Sequence, residues 1–129
     1  MQADIQFLGG AGGAGLVARA DLSNPGNGYW AGISRYNLIA GITPGANPFY
    51  DATSNSDFLS SIAFDPGQEW HTFRIEVKAD TVTFLVDGNV VAQTTDNRFL
   101  SGGAVGVFFD GGAQLAIRNL KVIALGDGR

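Results

Sequence analysis

The chain has 129 residues with eight basic and twelve acidic side chains, a net charge of −4, and no cysteine. This length indicates one domain, and the lack of cysteine excludes disulfides, cysteine nucleophiles and cysteine-ligated zinc. Because the sequence has no lysine or arginine cluster and no long apolar run, it predicts neither a nucleic-acid-binding surface nor a transmembrane helix.

Residues 1–4 lack the basic and apolar regions of a secretory signal, so the sequence predicts no signal peptide. Charged residues make up only 16% of the chain, whereas glycine occurs 19 times. The charged fraction is below the usual level of about 25%, and glycine is well above its usual share. Few charges and many glycines favour a β-protein with tight turns over a helical bundle.

The first half of the chain alternates short apolar segments with turn residues. The glycine–alanine run Gly9–Gly15 predicts a turn or loop, and the lysine that a phosphate-binding loop needs does not follow it. Residues 23–28 form a turn cluster that predicts a hairpin between the segments on either side. The predicted strands are Asp4–Leu8, Leu16–Leu22, Tyr29–Ser34, Asn37–Ile42 and Phe58–Phe64.

The second half has the clearer pattern. Apolar residues alternate with polar ones through Thr72–Lys78 and again through Val82–Val86, which is typical of half-buried strands. Asp87-Gly88 between apolar segments is the strongest short signal for a hairpin. Further strands are predicted at Val90–Thr94, from Val105 onward, and at Gln114–Ala124. About ten short strands without a helical period predict an all-β, antiparallel two-sheet sandwich.

Several segments together resemble a known family of domains. They are Gly15–Arg19, Tyr29–Ile33, Glu69-Trp70-His71, Val86–Val90, Gly102–Val107 and Ile117–Val122. In this order they resemble concanavalin A-like jelly rolls, and within them the laminin G-like group and the domain of keto-disaccharide hydrolases. The resemblance implies a jelly-roll sandwich that recognises carbohydrate and belongs to an extracellular or cell-surface bacterial protein. Such domains usually begin with further strands, the first of them beside the last strand. The chain is therefore expected to start in mid-sheet, as a single domain that is a piece of a larger protein or has its edge covered by another chain.

Catalysis receives little support from the sequence. Glycoside hydrolysis needs two carboxylates flanking the bond, and the two glutamates, Glu69 and Glu76, face opposite sides of one regular strand. His71 has no nucleophile pattern nearby and is interpreted as a hydrogen-bonded strand residue or a ligand contact. The leading hypothesis is a non-catalytic recognition module, most of all for carbohydrate. The alternatives are a glycoside-processing enzyme, or a fragment of one, and an assembly domain without a small ligand.

Aromatic residues in strands and loops could stack on sugar rings. Tyr29 and Trp30 are adjacent in one predicted strand, so they should face opposite sides. The candidate ligand-binding residues are Arg19, Trp30, Tyr36, Tyr50, His71 and Arg74. Arg19 and Arg74 are polar members of alternating strands, and the pattern allows both to lie on one sheet face.

The sequence predicts no cofactor with certainty, and calcium is the one cofactor for which it offers candidate ligands. Calcium prefers carboxylate and carbonyl oxygens, which makes Asp96 and Asp110 the metal candidates, with ordinary turn chemistry as the alternative. The first and last strands, Asp4–Leu8 and Gln114–Ala124, are predicted to be sheet edges with little protection. Unpaired edges invite pairing, so the sequence predicts a homo-oligomer formed across them.

Overall fold

The protein is a sandwich of two antiparallel sheets. The computed structural model describes residues 1–10, 12–20, 28–35, 38–44, 58–96, 103–110 and 112–122. Within these ranges ten strands form. They are β1 (Gln2–Gly9), β2 (Gly13–Ala20), β3 (Tyr29–Ser34), β4 (Ile39–Pro44), β5 (Ser60–Ala63), β6 (Trp70–Lys78), β7 (Thr81–Val86), β8 (Asn89–Thr95), β9 (Ala104–Asp110) and β10 (Gln114–Lys121). The all-β antiparallel fold predicted from the sequence is confirmed.

Each sheet has five strands. Sheet A has the order β10-β1-β6-β7-β8, and sheet B has the order β5-β4-β3-β2-β9. Every strand pair with a defined register is antiparallel. No helix among the described residues is long and apolar enough to cross a membrane.

The core lies between the sheets and follows from the two-residue period of the strands. In β6, Phe73 and Ile75 are buried, whereas the alternating residues Thr72, Arg74 and Glu76 stay partly exposed. Both sheets contribute fully buried side chains. The largest of these are Phe7, Phe73, Phe84 and Ile5 from sheet A, and Tyr29, Leu16, Ile33 and Ile42 from sheet B.

The predicted Asp-Gly hairpin joins β7 to β8. Asp87 and Gly88 have φ angles of 54° and 83°, and Val86 pairs with Asn89 on either side of them. Two consecutive positive φ angles define a type I′ turn, whose twist matches that of the flanking strands. This local signal thus fixed the register of one side of sheet A.

Two expectations about the beginning of the chain are wrong. Gly13–Gly15 is not loop but the buried start of β2. Strand β1 is not an edge, because it lies between β10 and β6 and pairs with both. The place beside the last strand, expected to be vacant, is therefore occupied by β1.

Strand β10 is an edge of sheet A, as predicted. Near its end the register against β1 shifts between Gln2 and Asp4, and Asn119 has a φ of 56°. A bulge of this kind twists an edge away from further pairing, as does the charge of Arg118 and Lys121. Association through β10 stays a prediction.

Candidate functional site

The outer face of sheet B carries a second, smaller apolar cluster. Val17, Phe58 and Phe108 are buried there, and Trp30 packs against them. We call these four residues the aromatic surface. The Trp30 and Phe108 rings are 4.6 Å apart between centroids and inclined by 40°. The cluster does not belong to the core between the sheets, so it marks the outer face of sheet B as a specialised surface.

Glycines allow the aromatic rings to lie close to the sheet. Gly15, Gly32 and Gly41 stand side by side on three neighbouring strands. A Cβ on Gly32 would come within 2.8 Å of Phe108 Cζ and 2.4 Å of the Ala14 carbonyl oxygen. A Cβ on Gly41 would come within 2.6 Å of Phe58 Cδ1. The bare backbone of this row therefore positions both phenylalanine rings.

Two polar atoms of this face have no hydrogen-bond partner among the described residues. Trp30 and Thr43 are directly opposed on β3 and β4. Their Nε1 and Oγ1 atoms are both enclosed, and neither forms a hydrogen bond within the part of the chain that the structure describes. Thr43 is 1% exposed, whereas Trp30 is only partly buried. Buried polar groups are nearly always paired, so two neighbouring exceptions single out this position.

Arg19 lies at one end of the sandwich, at a break in the regular β2 ladder. The β2–β9 register shifts between Val17 and Ala20, and Arg19 has a φ of 53°, as in a bulge. Its Nη1 donates a 2.6 Å hydrogen bond to the carbonyl oxygen of Ala79, in the turn between β6 and β7. Arg19 thus ties sheet B to a turn of sheet A.

Asp96 belongs to the same end of the sandwich. Its backbone N–H donates to the Asp80 carbonyl oxygen at 2.8 Å, which fixes it to the turn that Arg19 also contacts. The Tyr29 hydroxyl lies 2.6 Å from Asp96 Oδ1 and 2.9 Å from its carbonyl oxygen. The ring of Tyr29 is in the core, so this contact anchors the end of β8 to sheet B.

Both ring nitrogens of His71 form hydrogen bonds. Nδ1 lies 2.7 Å from Asp87 Oδ2, and Nε2 lies 2.8 Å from the Pro66 carbonyl oxygen. A carbonyl can only accept, so Nε2 carries a proton, and a carboxylate at Nδ1 favours a second one. Burial alone would lower the pKa of His71, but the hydrogen bonds of Asp87 and Pro66 and the charges of Asp87 and Glu69 raise it on balance. The imidazole ring thus fastens the segment before β6 to the β7–β8 turn, and both of its nitrogens are engaged in hydrogen bonds.

Arg74 lies on the outer face of sheet A, in a polar network. Its Nε donates to Glu76 Oε2 at 2.6 Å and its Nη1 to Gln2 Oε1 at 3.1 Å. Beside this network is an open groove of about 410 Å³, whose lining includes Glu76, Thr83 and Gln93. The polar side chains around Arg74 are thus paired with one another, in contrast to Trp30 Nε1 and Thr43 Oγ1 on sheet B, which have no hydrogen-bond partner among the described residues.

A family model described as the 3-keto-alpha-glucoside-1,2-lyase-like domain matches residues 5–123. The chain belongs to this family. The resemblance to keto-disaccharide hydrolase domains seen in the sequence is thereby confirmed.

A comparison with solved structures shows a protein of similar fold. The chain is similar to the carbohydrate binding module CBM66 from Bacillus subtilis, with a TM-score of 0.73, 18% identity, and coverage of 92% of this chain and 70% of that chain. At this identity the likeness establishes the sandwich fold and nothing finer. No curated protein matches the chain.

The structure separates the predicted ligand-binding residues of this lyase-like domain. Arg19 and Arg74 do not share a face, because β2 belongs to sheet B and β6 to sheet A. Trp30 and Tyr29 do face opposite sides, as predicted, since Tyr29 is fully buried in the core and Trp30 packs in the outer cluster. Tyr36 and Tyr50 lie outside the described residues.

The metal candidates stay predictions. The Asp96 carboxylate contacts the Tyr29 hydroxyl, and of Asp110 only the backbone is described, paired with Gly13. Among the described residues, no group of three or more His, Cys, Asp or Glu side chains could hold a metal ion.

Sequence reasoning missed Phe58, Phe108 and Thr43. Phe108 lies on the opposite side of β9 from Val107, which packs against the core, and its partners across the sheet could not be foreseen from the sequence. The available signal was the glycine at the centre of each of three neighbouring strands, because a row without side chains leaves space for rings from either side.

Proposed function

We propose that this domain is a non-catalytic module that binds carbohydrate on the aromatic surface of sheet B. The observation that carries the proposal is Trp30, a partly exposed indole held against Phe108, whose enclosed Nε1 has no hydrogen-bond partner within the described part of the chain. An indole beside a second ring suits the apolar face of a sugar, and a free N–H suits its hydroxyls. Two likenesses support this ligand class: the fold shared with the carbohydrate binding module CBM66, and the family, whose description names a 3-keto-alpha-glucoside.

The test is a binding titration with maltose, trehalose, sucrose and cellobiose, followed by calorimetry and by tryptophan fluorescence. The chain offers a matched control, because its other tryptophan, Trp70, lies on sheet A beneath the guanidinium of Arg118 at 4.0 Å. We expect Trp30→Ala to weaken saccharide affinity about tenfold or more, whereas Trp70→Ala leaves it unchanged. Fluorescence changes should persist in Trp70→Phe and disappear in Trp30→Phe. A wild-type protein that binds none of these sugars, with or without calcium, would refute the proposal.

The catalytic alternative rests on the family description, which names a lyase. It predicts that the protein converts an α-glucoside or its 3-keto derivative into a new product, seen by chromatography after incubation. Turnover that disappears in an aspartate variant would replace binding as the function. The assembly alternative predicts a stable oligomer that binds no saccharide.

We also propose an extracellular or cell-surface location. The resemblance to domains of bacterial extracellular proteins suggests it. Secretion of the tagged full-length gene product would test it.

A further inference from the structure

Trp30 Nε1 and Thr43 Oγ1 form an unusual pair. Both side chains leave the outer face of sheet B from opposed positions on β3 and β4. Opposed residues on antiparallel strands have Cβ atoms only about 5 Å apart, so one small group can contact both side chains. Each atom is shielded from solvent and has no hydrogen-bond partner among the described residues. Such atoms are costly in a folded protein, which makes two of them at one spot an arrangement that needs a cause.

The described side chains next to this pair cannot act as its hydrogen-bond partners. Val17 flanks Trp30 on the neighbouring strand, and Phe108 packs on the indole ring. Both are apolar, so neither can accept from the indole N–H or from the threonine hydroxyl. No described side chain next to the pair can therefore satisfy it, and a polar group of a bound ligand could.

We propose that Trp30 Nε1 and Thr43 Oγ1 together bind one hydroxyl oxygen of the saccharide, and so determine which hydroxyl pattern the domain accepts. This inference rests on the proposed function and adds to it the polar contacts that select the ligand. The indole N–H can only donate, whereas the threonine hydroxyl can donate or accept. A sugar hydroxyl can accept from the indole N–H and can either donate to or accept from the threonine hydroxyl, whereas an ammonium group cannot accept from either.

The shielding of the two atoms has consequences for binding. A hydrogen bond formed away from water is stronger than one formed on an open surface. Conversely, a sugar that lacks the hydroxyl leaves both atoms unpaired and is discriminated against more strongly than surface contacts allow. Trp30 is the partly exposed member of the pair, so the proposal requires its indole to shift and uncover both atoms when the sugar binds.

The decisive variant is Thr43→Val, which removes the hydroxyl and keeps the shape. Its matched control is Thr83→Val on β7 of sheet A. Thr83 is buried, and its Oγ1 accepts a 2.8 Å hydrogen bond from Gln93 Nε2 on the neighbouring strand β8. Without ligand, we expect Thr43→Val to melt at the wild-type temperature or above, because an unpaired hydroxyl is removed. Thr83→Val should melt lower, because it loses a formed hydrogen bond.

Calorimetry with maltose, trehalose, sucrose and cellobiose then measures the effect on binding. For a disaccharide that the wild type binds, Thr43→Val should lower affinity about tenfold, Thr43→Ser should restore most of it, and Thr83→Val should leave it unchanged. In a two-dimensional ¹H–¹⁵N spectrum, the indole N–H resonance of Trp30 should move downfield on adding sugar, and that of Trp70 should not. Peaks are assigned with Trp30→Phe and Trp70→Phe.

The outcomes separate this inference from the function on which it rests. If the wild type binds no saccharide, the proposed function fails and this inference with it. If Thr43→Val binds as tightly as the wild type, the two-atom contact is wrong while carbohydrate binding stands. If Thr43→Val melts as low as Thr83→Val, the Thr43 hydroxyl already has a partner in the free protein, and the premise is overturned.

Discussion

Replacement of Asp87 by asparagine should remove the part of the pH dependence of the unfolding free energy that comes from the His71–Asp87 pair. The Asp87 carboxylate accepts from His71 Nδ1 through Oδ2 and from the Thr72 backbone N–H through Oδ1. Asparagine has nearly the same shape and tolerates the φ of 54° at this turn position. The substitution therefore removes the negative charge opposite His71 while it preserves the turn.

The magnitude follows from the exposure of the two partners. Hydrogen bonds that involve a charged group contribute about 1.5–3 kcal/mol to stability. The His71 side chain is 10% exposed but that of Asp87 is 46% exposed, so solvent screens part of the interaction. We expect Asp87→Asn to lower the free energy of unfolding by about 1–1.5 kcal/mol when His71 is protonated, or about 3–5 °C in melting temperature.

The sign of the pH dependence follows from the raised pKa of His71. A group whose pKa is higher in the folded state stabilises the fold fully below its unfolded pKa, about 6.5 for histidine, and this contribution is lost as the pH rises through the folded value. The difference in unfolding free energy between wild type and Asp87→Asn should thus be largest near pH 5.5 and small near pH 8.5.

Urea unfolding of both proteins at these two pH values measures the difference. The amino group of Met1 also titrates in this range, because burial and the nearby Arg74 lower its pKa, but the substitution leaves it unchanged and the comparison cancels it. Asp80→Asn is the control, since it makes the same charge change in the β6–β7 turn, away from His71. An equal difference between wild type and Asp87→Asn at both pH values would refute the role assigned to the His71–Asp87 pair.

Three further outcomes are expected. Gly32→Ala should cost about 3 kcal/mol or more in urea unfolding, because its Cβ would overlap backbone and ring atoms, whereas Gly106→Ala, with nothing within 4 Å, should change stability little. Tyr29→Phe should lower the unfolding free energy by about 1–2 kcal/mol through the lost contact with Asp96, without altering the circular dichroism spectrum. Asp4, whose pKa is lowered by hydrogen bonds from Asn119 and Thr72, stabilises the fold above its unfolded pKa, so Asp4→Asn should flatten the loss of stability below about pH 4.

Local signals account for the parts of the fold that could be predicted. The alternation in β6 and the Asp87-Gly88 turn each involve residues close in sequence, and both were placed correctly. The bulge at Arg19 and the insertion of β1 between β10 and β6 depend on pairing between distant segments. No period or turn residue encodes such pairing, which explains why the edge position of β1 was wrong.

The candidate site shows the same division. Trp30 could be selected from the sequence because two adjacent aromatic residues in one strand must face opposite sides. Thr43 and Phe108 could not, since a threonine and a phenylalanine in β-strands are ordinary core or surface residues until the register is known. Their significance arises only when β3 and β4 oppose Trp30 to Thr43 and when β9 brings Phe108 over Gly32.

The two outer faces of the sandwich differ in a way that bears on which of them meets a ligand. On sheet A, Asp4 accepts from Thr72, Arg118 and Asn119, so the carboxylate is satisfied by its own sheet. On sheet B, the polar atoms of Trp30 and Thr43 are left unpaired among the described residues beside an aromatic pair. A face that satisfies its own hydrogen bonds gains little from a ligand, whereas a face with unpaired groups gains what it lacks. On this ground we place the proposed ligand on the aromatic surface of sheet B and not on the outer face of sheet A.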